Sequence, residues 1–431
     1  MMPIETGFLG ILILFTLIAL GMPIGFAMGL VGVVGFGLLI SFHAAIIKVG
    51  VITFDLATNY AIGTVPLFLF MAHILFATGI GRDLYEFAAR MLGHKRGGLA
   101  MATVGASAGF ASVNASSLAT TATMGLVALP EMRKHGYSDS LAAGCVAAGG
   151  TIGSLIPPSG MFIIYGILTE TSIGDMFAAG IIPGILLALF YMVTIAIQCR
   201  INPDAGPAGP RFSWRERLEG FSKTGDVIVL FFFVMGGIIW GLFTPTEAGA
   251  MGAFGALVIA ALRRRLSVET VRNAVYETLK STGMIFGILF GALVFNAFLT
   301  VTTIPFSIVG WVSATDLPPQ LVLLLILVVY LFLGMILDAS AMMTLTVPLF
   351  FPLVTGLGYD PVLFGVLVVR MTEIALITPP VGMNVFVLSG VAPDIHLSRI
   401  FRGTAPFVMA DILHVALLLA VPALVLWLPG L

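Results

Sequence analysis

Two short polar clusters interrupt a chain that is otherwise strongly apolar: Ser112-Val113-Asn114-Ala115-Ser116-Ser117 and Asp338-Ala339-Ser340. Hydroxyl, amide and carboxylate oxygens gathered this closely suit a small hard cation or the polar groups of a small solute. No Cys/His spacing marks a transition-metal site, and neither His-Glu-x-x-His nor Gly-x-x-x-x-Gly-Lys-Ser/Thr occurs, which argues against a membrane hydrolase and an ATP-driven pump. Each cluster is followed by a run that must interrupt a helix, Gly149 to Ser159 around Pro157-Pro158 and Thr372 to Gly382 around Pro379-Pro380. Tandem prolines withdraw two backbone donors and disfavour the α conformation just before them, so upstream carbonyls are released to bind a cation. Half-helix N-termini carry the opposite polarity and suit a carboxylate.

These elements must be held in lipid. The 431 residues are 59% hydrophobic and 10% charged, with a formal net charge of -1 and a mean hydropathy of +1.11. Such a chain is expected to be an all-α polytopic membrane protein whose surroundings are membrane lipid, with no nucleic-acid partner and no cofactor. Met1 to Thr6 lack a basic n-region, so the N-terminal stretch reads as mature protein and not a cleaved leader. Apolar runs long enough for about 30 Å of hydrocarbon place about ten spans, at 6–21, 24–41, 60–80, 139–168, 174–198, 224–243, 247–262, 275–302, 359–391 and 402–429. The remaining apolar stretches, 98–131 and 320–356, carry the two polar clusters at their centres and read as re-entrant hairpins.

The halves are related. Displaced by 222 positions, Pro157-Pro158 falls on Pro379-Pro380, Gly136-Tyr137 on Gly358-Tyr359 and Gly160-Met161 on Gly382-Met383. If loops 81–97, 132–138, 199–223, 263–280 and 392–402 are cytoplasmic, they hold every Lys and Arg except Lys48 and Arg370, as the positive-inside rule expects. One hairpin then enters from the cytoplasm and the other from outside, which makes the repeats inverted, the architecture of alternating-access transporters. The expected division is a scaffold (1–80 and 224–302), a transport domain (81–198 and 303–400), a cytoplasmic linker (199–223) and a C-terminal span (401–431) grouped with the scaffold.

Several separated motifs resemble the large membrane subunit of TRAP transporters, the DctM-like family: Leu155-Ile156-Pro157-Pro158-Ser159, Phe243-Thr244-Pro245-Thr246-Glu247-Ala248 and Glu373 to Gly382, with others between them. The resemblance runs over nearly the whole chain. It implies an elevator-type, sodium-coupled bacterial inner-membrane system for organic acids such as C4-dicarboxylates or sialic acid. It also implies two partners, a small four-helix membrane subunit and an extracytoplasmic substrate-binding protein, and the chain resembles the form in which the small subunit is separate. A divalent-anion/sodium symporter, working without a binding protein, is the alternative.

Carried onto this sequence, the resemblance implies one sodium site between Ser112, Asn114 and Ser116 and the break at Gly153, Ile156 and Pro157. A second would use Asp338 and Ser340 with Ala375 and Thr378, which lie 222 positions after Gly153 and Ile156. Ile156 has no hydroxyl to match Thr378, which favours backbone carbonyls as the common ligand. Asn114, Ser340 and Thr378 would also face the substrate. Arg370 is a charge at membrane depth, and such charges are paired or functional. Two readings stand: a bidentate anchor for a substrate carboxylate, or an ion pair with Glu373 three residues along the same helix face. Asp338 is a cation ligand, a proton carrier or a helix cap. Asp411 and His414 read as packing or interface residues.

Overall fold

Proline and glycine divide this apolar chain into helices, and the divisions repeat. The computed structural model describes residues 3–111, 116–315 and 317–430, and among these residues helices are joined by turns without a strand. The first half runs α1 (Pro3–Ala19), α2 (Ile24–Leu39), α3 (Phe42–Thr58), α4 (Thr64–Ala77), α5 (Ile80–Leu92), α6 (Gly98–Ala111), α7 (Ser117–Lys134), α8 (Asp139–Thr151), α9 (Gly160–Thr169) and α10 (Ile173–Ile201). The second runs α11 (Trp214–Ile239), α12 (Pro245–Leu262), α13 (Val268–Thr302), α14 (Ile304–Ala314), α15 (Pro319–Gly334), α16 (Ala339–Gly356), α17 (Pro361–Ala375), α18 (Met383–Val391), α19 (Leu397–Ala420) and the short α20 (Ala423–Leu426).

The 222-residue offset recurs in the backbone. Helix α16 begins and ends 222 positions after α7, and α17 begins 222 after α8. The capping residues keep the same register: Ser116 and Asp338 cap α7 and α16, while Ser138 and Asp360 cap α8 and α17. Their side-chain oxygens accept from free N–H groups of the first turn, which otherwise lack partners. Gly136 and Gly358 take the same left-handed conformation after α7 and α16, and both Pro-Pro bonds are cis.

Among the described residues, seven helical segments are long and apolar enough to cross a bilayer: 60–77 and helices α10, α11, α12, α13, α16 and α19. By contrast α6, with 14 residues, reaches only about 21 Å at 1.5 Å per residue. Both long runs containing a Pro-Pro pair are divided as expected, into α8 and α9 and into α17 and α18.

Three differences from the sequence reading have local causes. Residues 42–58 form α3, whose apolar run is interrupted by Lys48 and Asp55; Ser41 starts it by accepting from Ala44 N at 3.1 Å. Residues 80–92 and 304–314, read as connections, are the helices α5 and α14. Two segments drawn as loops are partly helical. Helix α13 begins at Val268, inside the loop placed at 263–280, and α11 begins at Trp214, inside the linker placed at 199–223. A capping box fixes that second start, with Ser213 and Glu216 each bonding the other's backbone.

Helices α1, α2 and α13 share a core of Leu14, Met28, Val31, Phe295 and Phe298. Helices α2 and α13 approach so closely that a Cβ on Gly291 would lie 2.0 Å from the Gly25 carbonyl oxygen. A second close crossing joins α8 to α19, where a Cβ on Gly403 would lie 2.0 Å from the Ser140 oxygen. Helix α19 therefore packs chiefly with α8, α10, α17 and α18, helices of the body expected to move.

A side chain at Gly291 must push the α2 and α13 backbones apart, and overpacking of this kind costs about 1–3 kcal/mol. Gly291→Leu is expected to lower the thermal unfolding midpoint and the folded yield. Gly283→Leu on the same helix, where nothing lies within 4 Å of the added Cβ, should leave both unchanged.

Candidate functional site

The two breaks lie against each other, Ser154 of the first bonding Glu373 in the last turn of α17, and the ends of the flanking helices close on them. After α8 the chain makes a 3₁₀ turn over Ile152–Ser154 before reaching Pro157. A Cβ on Gly153 would stand 3.8 Å from both Ala111 Cβ, at the end of α6, and the Ser116 carbonyl carbon, before α7. The corresponding contact occurs in the second half, where a Cβ on Gly334, at the end of α15, would stand 2.6 Å from Ala375 Cβ. Each break thus touches a helix end from its own repeat, the first beside Ala111 and Ser116 and the second at Gly334. Ser112 and Asn114 lie outside the described residues.

Local bonding assigns several candidates. Ser116 Oγ accepts from Ala119 N at 3.3 Å, and its carbonyl accepts from Thr120 Oγ1 at 2.9 Å. Asp338 is a helix cap, its Oδ1 accepting from Ser340 N at 2.9 Å and Ala341 N at 3.2 Å. The Ser340 carbonyl accepts from Thr344 Oγ1 at 2.9 Å, and Thr378 Oγ1 donates to the Ile374 carbonyl at 2.6 Å. The Ile156 side chain packs against Gly184 of α10, so it can offer an ion only its backbone. The symmetric breaks differ in enclosure. Every residue from Thr151 to Ser159 is buried, whereas Pro379 and Pro380 are exposed.

Arg370 corrects one of its readings, the ion pair with Glu373. It is 0% exposed, and its Nη2 pairs with Asp411 Oδ1 of α19. Tyr191 of α10 completes the group: its hydroxyl donates to Asp411 Oδ1 at 2.6 Å, accepts from Arg370 Nη2 at 3.3 Å and lies 3.0 Å from Thr151 Oγ1. A guanidinium enclosed with a carboxylate in this way cross-links α17 to α19, through Nη2 alone; Nε and Nη1 have no hydrogen-bond partner among the described residues. Glu373 is not its partner. The Glu373 carboxylate accepts from Ser154 Oγ through Oε1 and from Ser117 Oγ at 2.7 Å through Oε2, with the two serine oxygens 2.8 Å apart. Asp411 is the residue the sequence reading undervalued. The signal was present, because Asp411 is another charge at membrane depth, where Arg370 needs a counter-ion. His414, one turn further along α19, bonds the Pro183 carbonyl through Nε2 at 3.0 Å and is a packing residue as expected.

Duplicated halves, bilayer-length apolar helices and paired central breaks define a polytopic membrane transporter. The chain belongs to the DctM component family of tripartite ATP-independent periplasmic transporters, whose family model matches residues 11–424. It is 38% identical over 378 residues to the C4-dicarboxylate TRAP transporter large permease protein DctM of Pseudomonas aeruginosa, covering 88% of each chain. It is 32% identical to the sialic acid TRAP transporter large permease protein SiaM of Vibrio cholerae, covering 86% of this chain and 87% of that one. The fold is also similar to the crystal structure of the Alcanivorax borkumensis YdaH transporter, with a TM-score of 0.61, 16% identity and 86% of each chain covered.

Removing one partner of a buried ion pair strands the other charge, at a cost of about 3–5 kcal/mol. Asp411→Leu is expected to collapse the folded yield of the purified protein. Combining it with Arg370→Met should restore most of the thermal stability. If the double substitution were as damaged as the single one, the Arg370–Asp411 pair would not be the cause.

Proposed function

We propose that this chain is the large membrane subunit of a sodium-coupled TRAP system for uptake of an organic acid. The observation that carries the proposal is the repeated contact of a broken span with a helix end of its own half, at Gly153 and at Ala375. Two such contacts related by the repeat can enclose one site and open it alternately to either side. The unequal enclosure of Pro157-Pro158 and Pro379-Pro380 supports a structure standing in one of those two states. In this reading 98–131 and 320–356 are re-entrant hairpins entering from opposite faces, and the repeats are inverted. The body that slides as an elevator comprises 81–198 and 303–400 together with α19, against a frame built on α2 and α13.

The coupling ion in this proposal is sodium. One ion sits among Ser112, Asn114, Ser116 and the carbonyls of Gly153 to Pro157, and the other among Asp338, Ser340, Ala375 and Thr378. Asn114, Ser340 and Thr378 face the substrate between them. The substrate class is an acid bearing a carboxylate, since the relatives named for C4-dicarboxylates and for sialic acid share that group. The partners are a small four-helix membrane subunit and an extracytoplasmic binding protein, in keeping with the tripartite family, and the membrane is the bacterial inner membrane.

Uptake of labelled organic acids into proteoliposomes holding this chain and its small subunit tests the reading. Transport should require both an inward sodium gradient and the binding protein. Asn114→Ala and Ser340→Ala should each raise the half-saturating sodium concentration about tenfold, equivalent to ~1.4 kcal/mol, without loss of folded protein. Unchanged sodium dependence in both would remove the site assignment. Uptake driven by sodium with no binding protein would instead favour a symporter of the divalent-anion type.

A further inference from the structure

We infer that Glu373 is a positioning residue that couples the two ion sites, a role resting on the sodium-coupled reading above. Its helix, α17, ends at Ala375 in the second site. Its two carboxylate oxygens reach across the molecule into the first, Oε1 to Ser154 and Oε2 to Ser117. Ser154 adjoins Gly153, and Ser117 adjoins Ser116, the cap of α7. One carboxylate therefore stands within two residues of a proposed ligand in the second site, and its two serine partners each adjoin one in the first. The three side chains are all buried. The contacts close a ring, with Ser117 and Ser154 also 2.8 Å apart, so the carboxylate acts as a strut between elements.

The strut is unique among the described residues, although the architecture is duplicated. The position 222 before Glu373 is Thr151, whose hydroxyl turns instead to the Ala148 carbonyl at 2.7 Å and to Tyr191. The positions 222 after Ser117 and Ser154 are Ala339 and Leu376, which cannot make the bonds. Nor is the carboxylate held by Arg370, which is committed to Asp411. A shift of the first break or of the α7 start on ion binding would therefore pull on α17 through the Glu373 carboxylate, in addition to the packing of α17 against the 3₁₀ turn. A coupling carried by one element that both sites bias is the physical content of cooperativity.

Titrating the complex of this chain and its small subunit in nanodiscs with sodium chloride, replacing choline chloride, tests this without any need to know the substrate. Stabilisation against thermal unfolding reports ion binding. For the unaltered protein the sodium response should be cooperative, with a slope of about two, and Glu373→Gln and Ser154→Ala should lower it toward about one while raising the half-saturating concentration several-fold. Ser154→Ala removes one hydroxyl and keeps the carboxylate, so it carries the test if Glu373→Gln fails to fold. A lower melting point at every sodium concentration with the cooperative slope intact would mean that Glu373 serves packing alone, and would overturn the proposal. Absence of any sodium response in the unaltered protein would remove the sodium reading itself, a result distinct from a cooperative response that the substitutions leave untouched.

Discussion

Backbone that leaves the helical state inside a bilayer must find its hydrogen-bond partners within the protein, because hydrocarbon offers none. The rest of the architecture follows from this constraint at the two tandem prolines. The first break, Thr151 to Ser159, is buried throughout. In the second, carbonyls that the prolines release are taken up by neighbours: Leu376 accepts from Asn384 N at 3.0 Å, and Ile377 accepts from Thr404 Oγ1 at 3.1 Å. Thr404 lies on α19, so the final long helix is required to complete the break.

The same economy governs charge. Arg370, Glu373 and Asp411 are all fully or almost fully buried, and each reaches beyond its own helix. Arg370 of α17 joins Asp411 of α19 and Tyr191 of α10, while Glu373 joins Ser117 of α7 and Ser154 of the first break. Asn384 of α18 adds a bond to the Ala147 carbonyl of α8 at 3.1 Å. Every one of these polar contacts except the Arg370–Asp411 pair runs between the halves of the chain. Apolar packing in lipid discriminates weakly between alternative arrangements of helices, and buried polar groups supply the missing specificity by leaving themselves unsatisfied in any other register.

Much of this was legible from sequence because proline, glycine and capping residues have local meaning. The breaks, the repeat offset and the limits of α2 and α12 all follow from residues acting within a few positions of themselves. Partner choice was less legible. A spacing of three along a helix favours Arg370 with Glu373, yet the fold brings Asp411 from 41 residues away, and nothing local announces that distance. Helix α3 was hidden for a related reason, since Lys48 and Asp55 spoil the uniform hydrophobicity by which a span is recognised. The pairing of Gly153 with the stretch before α7 came from the family resemblance, with the repeat in support, while the bond from Ser154 to Glu373 breaks the repeat's symmetry and had no precedent in the other half.

The unequal treatment of α3 and α4 on one side and α13 on the other carries a further meaning. In the first half Asn59 caps a short turn by accepting from Ala61 N at 2.9 Å, and the chain is divided there. In the second, the equivalent stretch is a single helix of 35 residues, about 52 Å long. Helices α7 and α16, by contrast, have kept identical limits. Two conformations that exchange the roles of matched repeats are close to degenerate in energy, because each substitutes one set of contacts for its near-copy. Correspondence is retained at α7 and α16, where exchange of one repeat's contacts for the other's needs matched lengths, and is lost where the single helix α13 stands opposite α3 and α4.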